Sequence, residues 1–192
     1  IDLAWNAIDA ELPTSAETKE GDPFNPEVTP VRMHNVFDFP ANDWRGPIRL
    51  NWYQGGAMPR TPRNWIDLNT IGHGAMWKGT KGFLIADFTS RLLIPFGNDA
   101  DMTYYNRREE DEVIPDLGHF QQEWIDACKG DLKTSCDFKY GCDVIETMLL
   151  GLVAYRAEEK IKYDGAKGAV PGNAKADALL TKKYREGWTI EG

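Results

Sequence analysis

The chain has 192 residues, enough to bury a sizeable core with no need of disulfides or metal to hold it. Its net charge of −8 and lack of any basic stripe argue against a nucleic-acid partner. Lys160-Ile161-Lys162 and Lys182-Lys183 are too short to count and read as solvated faces. No apolar stretch approaches a membrane span and no signal peptide stands at the start, so no membrane partner is expected. Three cysteines with scattered histidines do not supply the paired ligands of a zinc site, and Cys128, Cys136 and Cys142 are expected as buried free thiols.

In chain order, a helical stripe already runs at the first residues. Ile1, Ala4, Trp5 and Ile8 fall at i, i+3, i+4 and i+7 with no capping residue ahead of them, as in a piece of a longer protein. Pro13 to Pro30 reads as a proline-rich connection turning at Gly21-Asp22-Pro23. Val31, Met33, Phe37 and Phe39 then alternate with Arg32, His34 and Asp38 as a strand with one buried face. Ile48, Leu50 and Trp52 alternate with Arg49, Asn51 and Tyr53 as a second strand. Residues 55–72 form a long loop, and loops of that length are commonly functional or docked on a partner.

Beyond it, Ala75 to Trp77 and Phe83 to Phe88 form a hairpin around residues 78–82, and Arg91 to Phe96 gives another strand. A polar stretch, residues 97–118, carries Tyr104-Tyr105, Arg107-Arg108 and the charge run Glu109-Glu110-Asp111-Glu112. A helix follows His119, with Phe120, Trp124, Ala127 and Cys128 on one stripe facing a core. A second helix opens at a capping box, Asp143 to Glu146, and buries Ile145, Met148, Leu149 and Leu152. Lys160 to Tyr163 is a last strand, and a helix from Asn173 to about Lys183 closes the chain. Strands in a run with flanking helices predict an α+β fold in a single domain over residues 1–192. Its sheet is mostly antiparallel.

Several stretches carry more than pattern. Leu50-Asn51-Trp52-Tyr53-Gln54-Gly55-Gly56, Gly74 to Leu84, Gly118 to Gly130 with Thr134 to Phe138, and Tyr184-Arg185-Glu186-Gly187-Trp188 come in a fixed order. Together they resemble the C-terminal domain of bacterial oxidoreductases of the Gfo/Idh/MocA family, across essentially the whole chain. The resemblance implies an open sheet with helices packed on one face, in a substrate-binding and oligomerisation domain whose other sheet face pairs in homo-oligomers. It also implies a full-length protein with an N-terminal Rossmann domain for NAD or NADP, a Glu-Lys-Pro motif whose lysine assists hydride transfer, and a catalytic histidine. That histidine would lie just before Ile1. None of this machinery is in the 192 residues: no G-x-G-x-x-G or Glu-Lys-Pro occurs, so no catalytic residue and no cofactor is assigned to this chain.

Four residues are candidates for contact with a sugar-like substrate. His119 opens its helix, where the imidazole could donate to a substrate hydroxyl or accept from first-turn amides. A satisfied histidine at a helix start is the plain alternative. His73 sits between Gly72 and Gly74, where an ordinary turn histidine is the commoner case. Trp65 is a loop aromatic suited to an interface or a sugar ring. Tyr53 must point away from Trp52, onto the sheet face free for an oligomer contact or a stacked sugar.

The leading reading is the substrate domain of an NAD(P)-dependent sugar or polyol oxidoreductase. The alternatives are a stand-alone carbohydrate-binding or assembly module and part of an NAD-dependent glycosidase. Ordinary glycosidase chemistry has no clear carboxylate pair, and no G-x-S-x-G occurs. The compartment, cytoplasmic or exported, is left open by the residues.

Overall fold

A computed structural model of the chain describes residues 1–97 and 118–188. The stretch with Tyr104-Tyr105, Arg107-Arg108 and the run Glu109 to Glu112 lies outside the described residues. In order, the elements are α1 (Asp2–Ala7), β1 (Ser15–Gly21), β2 (Met33–Phe39), β3 (Ile48–Gln54), a 3-10 turn (Leu68–Thr70), β4 (Ala75–Lys78), β5 (Gly82–Ala86), β6 (Arg91–Pro95), α2 (Phe120–Lys129), α3 (Phe138–Ala157), β7 (Ile161–Lys162) and α4 (Ala174–Asp177). The fold is α+β with open sheets whose strand pairs are all antiparallel. The chain forms two compact units, Ile1–Arg60 with Cys142–Gly192 and Thr61–Gly141; the division falls within the first turn of α3.

The first unit holds a four-stranded sheet in the order β3-β2-β1-β7. β1 is an inner strand, although Ser15-Ala16-Glu17-Thr18-Lys19-Glu20-Gly21 has little strand propensity and sits where a loop was expected. Pairing on both sides holds it, and the small size of Ala16, Thr18 and Gly21 lets α3 approach. Gly151 of α3 makes the closest contact: a Cβ there would lie 2.1 Å from Asn35 Nδ2 and 3.1 Å from Phe37 Cζ. Thr18 Oγ1 donates to Asn35 Oδ1 at 2.8 Å and reaches the Gly151 carbonyl at 3.3 Å. Asn35 Nδ2 is the one buried side-chain polar atom without a partner among the described residues. The core is Phe37, Phe39, Met33, Ala16 and Ile161 under Leu150, Val153 and Ala154. Trp5 of α1 meets Phe39 edge-on at 5.9 Å, so α1 and α3 cover the same face of the sheet.

This close approach corrects the expected register of α3. Asp137 accepts the Tyr140 amide at 2.9 Å in the N-cap pattern, and Asp143 lies inside the helix. The face toward the sheet is Thr147, Leu150, Gly151 and Ala154, while Ile145 is 59% and Leu149 52% exposed. A helix that nears a sheet through a glycine turns small residues inward, and its larger side chains are left outside. Val31, expected in the buried face of β2, precedes the strand and is exposed. The closing helix spans only Ala174–Asp177, capped by Asn173; beyond it the Leu179 and Leu180 amides bond to carbonyls three residues back, a tighter turn than α.

The second unit carries a three-stranded sheet, β4-β5-β6, so the predicted hairpin and the strand after it form a sheet of their own. Gly74 and Gly82 permit its close strand approach: a Cβ would meet Ala86 O at 2.6 Å and Ile94 O at 2.5 Å respectively. α2 reverses the expected facing. Glu123 is the buried residue, its carboxylate accepting the Ser135 amide at 2.5 Å and hydroxyl at 2.9 Å. Turning that carboxylate inward leaves Phe120 75% and Trp124 66% exposed. All three cysteines are exposed as well, against the buried thiols expected.

Candidate functional site

Period-two alternation places one side chain in two from β2 and β3 on the face away from α3. The register sets His34 opposite Tyr53, Val36 opposite Asn51 and Asp38 opposite Arg49, with Ser15 of β1 beside Asp38. Trp52 falls opposite the buried Asn35, on the helix-covered side, as its alternation with Tyr53 requires. No helix of the first unit packs on this face, whose side chains are polar or aromatic around Val36, 6% exposed at its centre.

Two clusters organise it. At one end, Asp38 accepts from Arg49 Nε at 2.7 Å, Lys160 Nζ at 2.6 Å and Ser15 Oγ at 2.8 Å. Hydrogen bonds from Arg49 and then Lys160 hold its carboxyl well below the usual carboxylate range. A carboxylate so firmly ionised is a poor general base and a good structural anchor. At the other end, His34 stacks on Tyr53 with centroids 4.1 Å apart and 15° between planes, and His34 Nε2 lies 3.0 Å from Asn51 Oδ1. Partial burial pushes the Tyr53 phenol up from its ordinary value. Tyr53 therefore sits on the predicted face, with one side of its ring taken by His34.

The other three candidates belong to the second unit. His119 is the N-cap of α2 in an extended conformation; its carbonyl takes the Gln122 and Glu123 amides, and its ring does not cap the helix. The imidazole is exposed and makes no hydrogen bond among the described residues, which removes the first-turn-amide role. His73 follows Gly72, at φ +71°, and packs against Phe88 with centroids 5.4 Å apart. Nearby, the backbone amides of Thr89 and then Ser90 hold the Asp87 carboxyl below its usual range, and the charge of His73 adds to this. Trp65 is 66% exposed in a segment shaped by Thr61, whose hydroxyl bonds the Arg63 and Ile66 carbonyls.

A shallow cleft of about 230 Å³ in the first unit lies between β1 and the end of α3, lined by Glu20, Asp22, Phe24, Tyr155 and Glu158 among others. None of the four candidates lines it. Its polar groups are engaged: Glu20 with Arg32 at 2.5 Å, Asp22 with the Val31 and Arg32 amides, and the Tyr155 hydroxyl with the Pro23 carbonyl at 2.9 Å. It is a satisfied loop junction. No group of three or more His, Cys, Asp or Glu side chains that could hold a metal gathers among the described residues. No helix among them is long and apolar enough to cross a membrane.

The chain matches no protein-family model, no curated protein and no solved structure. The Asp38 cluster was not foreseen from the sequence, because Lys160 reaches it from far along the chain. The alternation of Asp38 and Arg49 on neighbouring strands was its one visible sign.

Proposed function

We propose that this chain is the substrate-binding and oligomerisation domain of an NAD(P)-dependent sugar or polyol oxidoreductase, resembling the Gfo/Idh/MocA C-terminal domain. One observation carries the reading: an open antiparallel sheet covered by α1 and α3 on one face, with a second face of mostly polar side chains around Val36 that no helix of the first unit covers. Such a face is left wet or is paired with another copy. Opposite charges along it, Glu17 on β1 and Arg49 on β3, suit a symmetric self-contact. The resemblance blocks also fall on β3, on the β4–β5 hairpin and on α2 with the start of α3.

In this reading a nicotinamide held elsewhere in the intact protein would supply hydride chemistry at a substrate carbon. The 192 residues offer no glycine-rich turn of dinucleotide spacing, so a pyrophosphate has no cradle in them and another domain would hold it. The chain's own part is to shape the pocket, with His119 donating to a substrate hydroxyl and Trp65 giving an apolar surface to a sugar ring. The test uses the intact protein with NAD or NADP and a panel of sugars and polyols, followed by nicotinamide absorbance. Turnover that His119→Ala lowers by about tenfold in kcat/KM, with folding unchanged, supports the proposal. No turnover with either cofactor, or sugar binding by the 192 residues alone without any nicotinamide chemistry, would favour a stand-alone carbohydrate-binding module instead.

A further inference from the structure

Helix α3 is apolar on two opposite sides, and the sheet takes only one of them. At 3.6 residues per turn, Thr147, Leu150, Gly151 and Ala154 share the side turned to the sheet, and all four are buried. On the opposite side Phe138, Cys142, Ile145, Leu149, Leu152 and Arg156 form a second stripe. They are spaced 4, 3, 4, 3 and 4 residues apart, the heptad pattern with which one helix seats against another. Phe138 is 93% exposed, and Cys142, Ile145 and Leu149 are exposed as well. A helix that serves only its own core turns its large apolar residues inward and polar ones to water. In α3 the small residues lie inside, and the large ones make a ridge along 20 residues, about 30 Å.

We infer that this ridge is an interface for a second copy of the chain, whose α3 runs antiparallel to the first. The order of residues along the ridge specifies both partner and direction. In a two-fold antiparallel pair centred at the level of Thr147, Ile145 meets Leu149 of the other copy, Cys142 meets Leu152, and Phe138 meets Arg156. Symmetry makes each of these pairings twice. The Arg156 guanidinium has no ion pair or hydrogen bond in its own copy among the described residues. In the pair it reaches the Phe138 ring and the Asp137 carboxylate just ahead of it, a cation–π contact beside an opposite charge. A parallel pair would instead set Arg156 against Arg156 and align the two helix dipoles, both unfavourable. The ridge points away from the sheet, so this contact is separate from pairing through the sheet face and needs nothing of the proposed activity. Both contacts together would build a larger assembly than a dimer.

The test uses the 192-residue chain with Cys128 and Cys136, both exposed, replaced by Ser. Cys142 and an added Leu152→Cys thiol then report the register through a short bismaleimide. Within one copy these two positions stand about 15 Å apart along the helix, beyond the reach of the reagent. A covalent dimer linked from Cys142 to the new thiol is expected when both are present, and almost none with either alone. Leu149→Lys, checked for folding by circular dichroism, should abolish the link. It should also raise the dimer dissociation constant in sedimentation by at least about tenfold, because each copy then brings an unpaired ammonium into the seam. Dimers linked from Cys142 to Cys142 would reveal a parallel pair and overturn the inference. A chain that stays monomeric at high concentration would overturn it too, and the ridge would then belong to a different partner. An association that Arg49→Glu weakens and Leu149→Lys leaves unchanged would place all pairing on the sheet face; the helix contact then falls while the proposed function stands.

Discussion

Gly151 sets how closely α3 lies on the sheet, and Gly151→Ala tests that directly. Away from the sheet, the change should stabilise a helix by up to about 1 kcal/mol, because alanine is the better helix former. Here the added methyl would stand 2.1 Å from Asn35 Nδ2, 2.9 Å from Asn35 Cγ and 3.1 Å from Phe37 Cζ. The first contact is short of van der Waals distance by more than about 1 Å. Asn35 and Phe37 are both fully buried on an inner strand, so neither can swing into solvent. The helix must lift, which stretches the Thr18 contact to the Gly151 carbonyl. Overpacking of this kind costs about 1–3 kcal/mol, and the propensity gain offsets only part of it. The expected net loss is about 1–2 kcal/mol, or a Tm lower by about 2–8 °C for a chain of this size. Gly141 is the control, also in α3, where a Cβ would meet nothing closer than Cys136 Sγ at 3.9 Å. Urea unfolding followed by circular dichroism should move the two variants in opposite directions. A Gly151→Ala protein as stable as its parent would mean that helix and sheet are not in the contact described, and the reasoning would fall.

Asp38 is held ionised by Arg49, Lys160 and Ser15, so its folded pKa lies below its unfolded one. The stability it contributes is full above the ordinary carboxylate pKa of about 3.9 and is lost as pH falls toward the lower folded value. Asp38→Asn should therefore weaken the protein at neutral pH and show a shallower loss of stability in acid; parallel acid-unfolding curves for parent and variant would contradict this. The three exposed thiols should all react with a disulfide reagent in the native state without denaturant, and fewer than three fast equivalents would refute the exposure of Cys128, Cys136 or Cys142. If the uncovered sheet face pairs two copies, Arg49→Glu should shift sedimentation toward monomer, whereas Lys183→Glu, an exposed position beyond α4 and outside the strands, should not.

Much of the first unit was legible because its strands alternate cleanly. β2 and β3 alternate in register, and that alone put Trp52 and Tyr53 on opposite faces, although Val36 on the outer side of β2 is buried as well. β1 escaped notice because its inward residues are alanine, threonine and glycine, chosen for a near helix and carrying little hydrophobic signal. The same closeness misled the reading of α3, where large apolar residues such as Ile145 and Leu149 look like core and stand outside. In α2 a single acidic residue, Glu123, decides the facing by binding Ser135, and no periodicity of apolar residues could announce it. Of the four candidate side chains, Tyr53 was placed by strand geometry. His73, Trp65 and His119 sit in turns or at a helix start, where side-chain direction depends on local backbone that a hydrophobic pattern does not encode.

The place of β1 also bears on how the molecule is made. Its two partners come from opposite ends of the chain, β2 soon after it and β7 only after the whole of Thr61–Gly141 has been synthesised. On the ribosome, residues 15–54 can assemble three strands early, but Ala16 waits for Ile161, and α3, whose Gly151 seals the sheet, arrives almost as late. Through that interval the edge of β1 and the apolar side of the sheet lie open, which favours slow closure and exposes the nascent chain to edge-to-edge association. The polar outer side chains, with Lys19 and Glu20 near the end of that edge, are the guard the sequence provides until the last strand docks.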